Sequence, residues 1–276
     1  MSKAIHLEKL SSYFKKLNIS PTKPSLELVQ TLQKRHLETF SFNNIAVLLG
    51  KDISLELEDI LEKIVTKNLG GYCFEHNSLM YEVLQALGFK VRILIAKVLN
   101  NEEKDMPRTH RVTLLEWEDK HYLVDVGFGA VCPQTILNIH QKEEQNGYRV
   151  VALANGHYQL ELLKDDGSFV LYRFDLAHYG QADCTMGNFY SSKHPNAVFV
   201  NNFVIALRKK EVTLSFRNGV YHRITKEVTH IEQIETLEAL VSMMREEFGI
   251  VLEEGACERL MGNAPRYPSY GLVKTV

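Results

Sequence analysis

The sequence predicts an α+β protein with helices first, strands in the middle and a small mixed region last. Three observations carry this reading. Apolar residues recur at the helical period up to about residue 88. From Val91 they alternate as strands do, with turn signals between the runs. From about residue 200, two more strand-like runs precede one helical run.

The elements follow in order. Ile5, Leu7, Leu10, Phe14 and Leu17 mark the first helix. A second begins after Pro24 with Ser25 as its cap, and Leu28, Leu32 and Leu37 form its apolar face. Ser54 is expected to cap a third, with Leu57, Ile60, Leu61 and Ile64 on one side. A fourth starts near Cys73 and runs through Leu79, Val83 and Leu87 to Gly88, where a left-handed residue ends a helix. Val91, Ile93 and Ile95 form a strand. Val112–Trp117 and Tyr122–Val126 read as a hairpin around Glu118, Asp119, Lys120 and His121. Tyr148–Leu153, Tyr158–Leu163 and Phe169–Phe174 are three more strands, separated by Asn155-Gly156 and Asp165-Asp166-Gly167. Strands at Phe203–Leu207 and Val212–Phe216 lead to a helix from Thr236 to Phe248, and Pro265 and Pro268 mark an irregular tail.

Composition narrows the function. Of 276 residues, 32 are Lys or Arg and 34 Asp or Glu, a net charge of −2. Coating nucleic acid or binding a membrane by charge needs a basic excess, so neither partner is expected. No stretch reaches the roughly 18 apolar residues of a span, and lysines interrupt the first 20 residues where a signal peptide needs an apolar run. Cys73, Cys132, Cys184 and Cys257 form no C-x-x-C pair, which favours a reducing compartment, and a cytoplasmic protein is expected.

The most informative segment is Gly70-Gly71-Tyr72-Cys73-Phe74-Glu75-His76-Asn77. The glycines allow a sharp turn, and a cysteine at a helix start is expected to have its thiolate favoured by the dipole. A nucleophilic cysteine also needs a base and a group to orient that base. His110 opens one hairpin strand and Asp125 closes the other, so the two are expected to be cross-strand neighbours. The candidate catalytic set is Cys73, His110 and Asp125.

LGGYCFEHN, MPRTHRVTLLEW and HYLVDVGFG, in this order and spacing, resemble the arylamine N-acetyltransferases. FSFNNIAVLLGKDISLELEDILEKIV and ALGFKVRILIAKV extend the match, and MGNFYSSKHPNAVF resembles the bacterial N-hydroxyarylamine O-acetyltransferase branch. The resemblance covers roughly residues 5–250. It implies a papain-like fold: a helical bundle over 1–88 carrying the cysteine, a β-barrel over 89–199 carrying His and Asp, and an α/β lid with a tail over 200–276. It implies a ping-pong reaction of xenobiotic metabolism. Cys73 takes the acetyl group of acetyl-CoA and passes it to an arylamine, hydrazine or N-hydroxyarylamine. His110 would shuttle protons, Asp125 would orient it, and backbone N–H groups near Cys73 would hold the oxyanion. Leu99, Phe128 and Phe199 match positions lining the acceptor pocket. Gly129 would admit the CoA arm, with Thr109 and Ser215 as polar contacts to CoA. No metal is implied. An amide synthase of the same fold with another acyl donor, or a Cys-His-Asp hydrolase or transglutaminase-like enzyme, stays open as an alternative.

Two positions depart from the family. Leu69 stands where an Arg precedes the glycines, and Asn43 where a Glu follows Phe42. If the family residues form an ion pair, both charges were lost together and the two positions must touch, because losing one would leave a buried charge unpaired. Elsewhere plainer readings hold. Cys132, Cys184 and Cys257 are expected to be inert, and His36, His121, His157 and His222 structural or superficial. Phe40 and Phe42 are expected in the core. His76 makes a C-x-x-H with Cys73 but has no second such pair to complete a zinc site.

Overall fold

The computed structural model describes residues 7–21, 23–103 and 105–262. Ile5 and the expected tail with Pro265 and Pro268 lie outside them.

Helix α1 (Ser11–Leu17) buries Tyr13, Phe14 and Leu17. Helix α2 (Leu26–Thr39) starts at Ser25, whose Oγ accepts the Leu28 N–H at 3.2 Å. Both pack into one apolar cluster with Leu79, Met80, Val83 and Leu84. Strand β1 (Phe42–Asn43) and a short helix α3 (Ile45–Leu48) follow. Helix α4 (Leu57–Ile60) begins after Glu56, not Ser54. The Ser54 hydroxyl is occupied in a tighter local turn: it accepts the Glu56 N–H at 3.2 Å and donates to Asp59 at 2.6 Å. A π-helical turn, Leu61–Thr66, continues α4. Helix α5 (Cys73–Leu87) ends at Gly88 with φ +92°, as the sequence predicts.

A seven-stranded antiparallel sheet has the order β5-β4-β3-β2-β8-β7-β6. Its strands are β2 (Lys90–Val98), β3 (His110–Trp117), β4 (Lys120–Val124), β5 (Leu137–Asn138), β6 (Tyr148–Ala152), β7 (Tyr158–Lys164) and β8 (Gly167–Phe174). The edges approach each other through Gln145. Its side chain bonds the Asn138 N–H and carbonyl of β5, and its backbone pairs with Tyr148 of β6. The sheet is thus a nearly closed barrel, filled by Leu94, Val112, Leu114, Leu160 and Phe174. The β3–β4 turn is tighter than expected. Trp117 pairs with Lys120, and Glu118 (φ +46°) and Asp119 (φ +60°) alone make the turn.

The last region holds a five-stranded sheet, β1-β9-β10-β11-β12, packed on a helix. Its strands are β9 (Val204–Arg208), β10 (Thr213–Arg217), β11 (Val220–Ile224) and β12 (Thr229–Gln233). Helix α8 (Leu237–Glu246) falls within the expected stretch from Thr236 to Phe248, with Thr236 as its N-cap. Strands β11 and β12 escape the pattern reading because every residue of β12 is exposed, which leaves no alternation to read. Four helices also escape it: α3, α6 (Gln181–Lys193), α7 (Val198–Asn201) and α9 (Ala256–Gly262). In α6 two large apolar residues, Met186 and Phe189, face solvent. Strand β1 comes from the helical region but pairs with β9, so the last sheet is stitched to residues beside the glycine turn. No helix among the described residues is long and apolar enough to cross a membrane.

Candidate active site

The site is built on the first turn of α5. Gly70 has φ +64°, and a Cβ there would lie 2.2 Å from the Ser41 carbonyl oxygen, so only glycine fits. The Glu75 carboxylate reaches back to accept the Tyr72 N–H at 3.1 Å and is held by the Lys63 ammonium at 2.6 Å. Cys73 is the first residue of the helix and is buried. Its thiol donates to the Thr109 carbonyl at 3.5 Å, one residue before His110.

His110 opens β3 opposite Ala96 of β2, and its Nε2 lies 2.8 Å from Asp125 Oδ2. The route differs from the expected one. The β3–β4 ladder ends at Thr113–Val124, so His110 and Asp125 are not direct cross-strand partners. Asp125 follows β4 and reaches diagonally along the sheet. Because a carboxylate only accepts, His110 Nε2 carries the hydrogen, and Nδ1 is left as the basic nitrogen. Three further donors hold Asp125: Tyr172 Oη at 2.9 Å, Asn77 Nδ2 at 3.0 Å and the Gly127 N–H at 2.9 Å.

Asn77 ties the helix to β3 and to the loop after β4. Its Nδ2 also donates to the Arg111 carbonyl at 2.7 Å, and its Oδ1 accepts the Val126 N–H at 3.0 Å. Gly127 lets the loop after Asp125 lie on α5: a Cβ there would stand 2.8 Å from Cys73 Cα and 2.7 Å from Asn77 Nδ2. The sequence reading assigns no role to Asn77, Tyr172 or Gly127. Asn77 had a readable signal, since it sits four residues after Cys73 on the same helix face. Tyr172 had none, because it is contributed by a strand remote in the chain.

The electrostatics correct one expectation. Burial pushes the Cys73 thiol up, and the nearby Asp125 charge adds to this. The N–H groups of Arg111 and Phe74 oppose the rise without reversing it. The helix start alone therefore does not supply a thiolate; the proton needs an acceptor. Asp125 behaves differently. Burial raises it, but the His110 charge and the hydrogen bonds from His110, Asn77 and Gly127 outweigh burial and hold it below the usual carboxylate range.

Aromatic residues surround this group. The Phe128 ring packs edge-on to His110 at 4.8 Å and to Tyr172 at 5.0 Å. Phe199 packs on Tyr72 at 5.3 Å and on Phe42 at 5.8 Å. Phe40 is in the core as expected, but Phe42 is only half-buried and belongs to the cluster around Cys73. Phe42 lies in β1, opposite Ala206 of β9. Gly129 (φ +66°) lies beside the Phe42 ring. Phe128, Phe199, Thr109 and Gly129 are therefore brought to one place. Leu99 is buried just past β2 with its N–H on the Leu171 carbonyl at 2.9 Å, and Ser215 lies within β10 opposite Ala206 and His222.

Asn43 and Leu69 touch: Asn43 Nδ2 donates to the Leu69 carbonyl at 2.9 Å. The Leu69 side chain packs on the apolar cluster of the last sheet. Neutral contacts thus occupy this junction. Cys132 is buried with its thiol on the Asp125 carbonyl at 3.2 Å, and burial pushes that thiol up too. Among the described residues no group of three or more His, Cys, Asp or Glu could hold a metal ion.

Comparison with known proteins agrees with this geometry. The family model described as N-acetyltransferase matches residues 25–257. The arylamine N-acetyltransferase of Escherichia coli K12 is 31% identical over 89% of this chain and 90% of its own. The arylamine N-acetyltransferase / N-hydroxyarylamine O-acetyltransferase of Salmonella typhimurium is 29% identical over 87% and 88%. The solved Salmonella typhimurium arylamine N-acetyltransferase superposes with a TM-score of 0.86 at 28% identity, covering 93% of this chain and 97% of that one. That of Mycobacterium marinum in complex with CoA does so with 0.85 at 28% identity, covering 92% and 98%.

Proposed function

This chain belongs to the arylamine N-acetyltransferase family and is an acyltransferase, and from that premise we propose that it transfers acetyl groups from acetyl-CoA through an acetyl-Cys73 thioester. The acceptors are arylamines, hydrazines or N-hydroxyarylamines, acetylated on nitrogen or oxygen. The observation that carries this reading is that the Cys73 thiol bonds the Thr109 carbonyl at 3.5 Å, one residue before His110, whose Nε2 lies 2.8 Å from Asp125.

The thiol proton passes to His110 Nδ1, and Asp125 stabilises the imidazolium that forms. The sulfur attacks the thioester carbonyl of acetyl-CoA. The tetrahedral intermediate collapses, the C–S bond to CoA breaks, and CoA leaves with the proton from His110. In the second half, the acceptor amine or hydroxyl attacks the acetyl-cysteine. His110 takes its proton and returns it to the departing Cys73 sulfur. Because burial raises the free thiol, transfer to His110 is the step that makes the nucleophile. N–H groups at the α5 start are the oxyanion donors in this scheme.

Phe128, Phe199 and Leu99 are proposed as the acceptor walls, and Thr109, Gly129 and Ser215 as CoA contacts. The apolar walls suit a flat aromatic acceptor and keep water from the thioester. The division into 1–88, 89–199 and 200–276 is kept as the proposed domain frame. Incubation with acetyl-CoA, followed by mass spectrometry of the intact chain and its peptides, tests the reading. One acetyl group on Cys73, discharged by an added arylamine, is expected. A chain that stays unacetylated, or a Cys73→Ala variant that still transfers, would overturn it.

A further inference from the structure

Three buried side chains outside the Cys73–His110–Asp125 group form a continuous chain. Tyr13 of α1, His36 of α2 and His76 of α5 are each at most 1% exposed. The Tyr13 hydroxyl lies 3.0 Å from His36 Nδ1, and His36 Nε2 lies 2.8 Å from His76 Nδ1. His76 Nε2 then stands 3.1 Å from both the Ser41 and Gly71 carbonyl oxygens.

The end of the chain fixes every hydrogen in it. Carbonyl oxygens only accept, so His76 Nε2 carries the N–H. A neutral imidazole has one N–H, so His76 Nδ1 accepts, and His36 Nε2 must donate to it. His36 Nδ1 therefore accepts, and the Tyr13 hydroxyl donates. Burial lowers both imidazoles, His76 to about 4, which favours the neutral forms this order needs. Each of the three side chains finds its partner only in this direction.

The carbonyls at the receiving end are structural hinges of the site. The Gly71 carbonyl also accepts the Asn43 N–H at 2.6 Å, and the Gly71 N–H bonds the Ser41 carbonyl at 3.3 Å. These two bonds join β1 to the turn that delivers Tyr72 and Cys73. His76 sits one turn into α5 and clamps both strands of that junction. It is the junction where Leu69 and Asn43 supply no charge.

We infer that Tyr13, His36 and His76 form a one-directional hydrogen-bond chain that positions the turn before Cys73, with His36 and His76 as positioning residues for its thiol. The inference rests on Cys73 being the reactive nucleophile, as proposed above. It does not require acetyl-CoA to be the donor.

Two measurements on the whole chain test it. Nitrogen-detected NMR of histidine-labelled protein at pH 7 is expected to show His36 and His76 both as neutral Nε2–H tautomers. Either imidazole as the Nδ1–H tautomer or as a cation would overturn the chain. Iodoacetamide labelling of Cys73, followed by peptide mapping to separate it from Cys257, reads the nucleophile without any acyl donor. His36→Leu is expected to slow labelling of Cys73 about tenfold. His36→Gln keeps an N–H donor toward His76 and should stay within about threefold of the wild type. Tyr13→Phe, the mildest change, should slow labelling about threefold. A folded His36→Leu that labels at the wild-type rate would overturn the proposal, as would equal losses in the Leu and Gln variants. Should His36→Leu not fold, unchanged labelling in Tyr13→Phe does the same. If the wild type labels at Cys73 but never forms an acetyl-enzyme, the proposed function fails while this chain stands.

Discussion

Asp125 shows how single groups set the chemistry. It is buried, yet it stays ionised because four donors converge on its two oxygens. Tyr172 is the one donor that can be removed without touching the helix, the loop or His110 itself. A hydrogen bond to a charged group contributes about 1.5–3 kcal/mol, so its loss weakens the hold on the carboxylate and on the His110 imidazolium. Tyr172→Phe is therefore expected to lower the rate of Cys73 acylation about tenfold at pH 7. It should also move the acid limb of the acylation pH profile upward, because a less supported carboxylate protonates earlier. Stopped-flow acylation across pH checks this. An unchanged rate with an unmoved acid limb would mean that Tyr172 acts by packing on Phe128 and His110 alone, since Phe keeps the ring.

The contact between α5 and the loop after β4 makes the same point for larger pieces. The loop lies so close to the first turn of α5 that Gly127 has no room for a Cβ. Overpacking of this kind costs about 1–3 kcal/mol. Gly127→Ala is expected to lower the unfolding midpoint modestly and to cut acylation far more, since the shift falls on Cys73 and Asn77 directly. Gly129→Ala, where a Cβ would meet the Phe42 ring at 3.4 Å, should act through its left-handed φ and spare Cys73. Comparing labelling of Cys73 in the two variants separates the effects. The sequence made much of this legible. Cys73, His110 and Asp125 were readable because a local motif marks the first and the hairpin brings the strand ends that carry the other two near each other, although not in register. Ser25 and Gly88 were readable because caps have local chemistry. Helix α6 and strand β12 were not, because their apolar residues do not follow the period of the element. The end of the β3–β4 ladder was not, because register depends on a two-residue turn that the four polar residues 118–121 disguise. The raised thiol was not, because desolvation comes from the whole fold and no helix-start rule contains it.

The whole molecule holds the site by joining three layers at one junction. The helical layer supplies Cys73, the barrel supplies His110, Asp125 and Tyr172, and the last sheet is tied to the glycine turn through β1. Two neutral imidazoles sit beneath that junction, faced by Tyr13, Lys63 and the Asp125 charge. This gives stability a definite pH dependence. His36 and His76 take up protons near 6.5 in the unfolded chain but lower in the folded one, His76 at about 4. Between those values the unfolded state binds more protons, so stability falls as pH falls. For His76 alone the window corresponds to about 3 kcal/mol. Asp125 acts further down: it is held below the ordinary carboxylate value of 3.8, so its contribution is present above that value and lost as pH falls below it. The unfolding midpoint in urea should therefore drop steadily from pH 6.5 to pH 4.5, before Asp125 begins to titrate. A His36→Phe/His76→Leu double variant is expected to flatten that slope even where its stability at pH 7 is lower. An unchanged slope in the double variant would assign the acid sensitivity to groups other than the chain beneath the nucleophile.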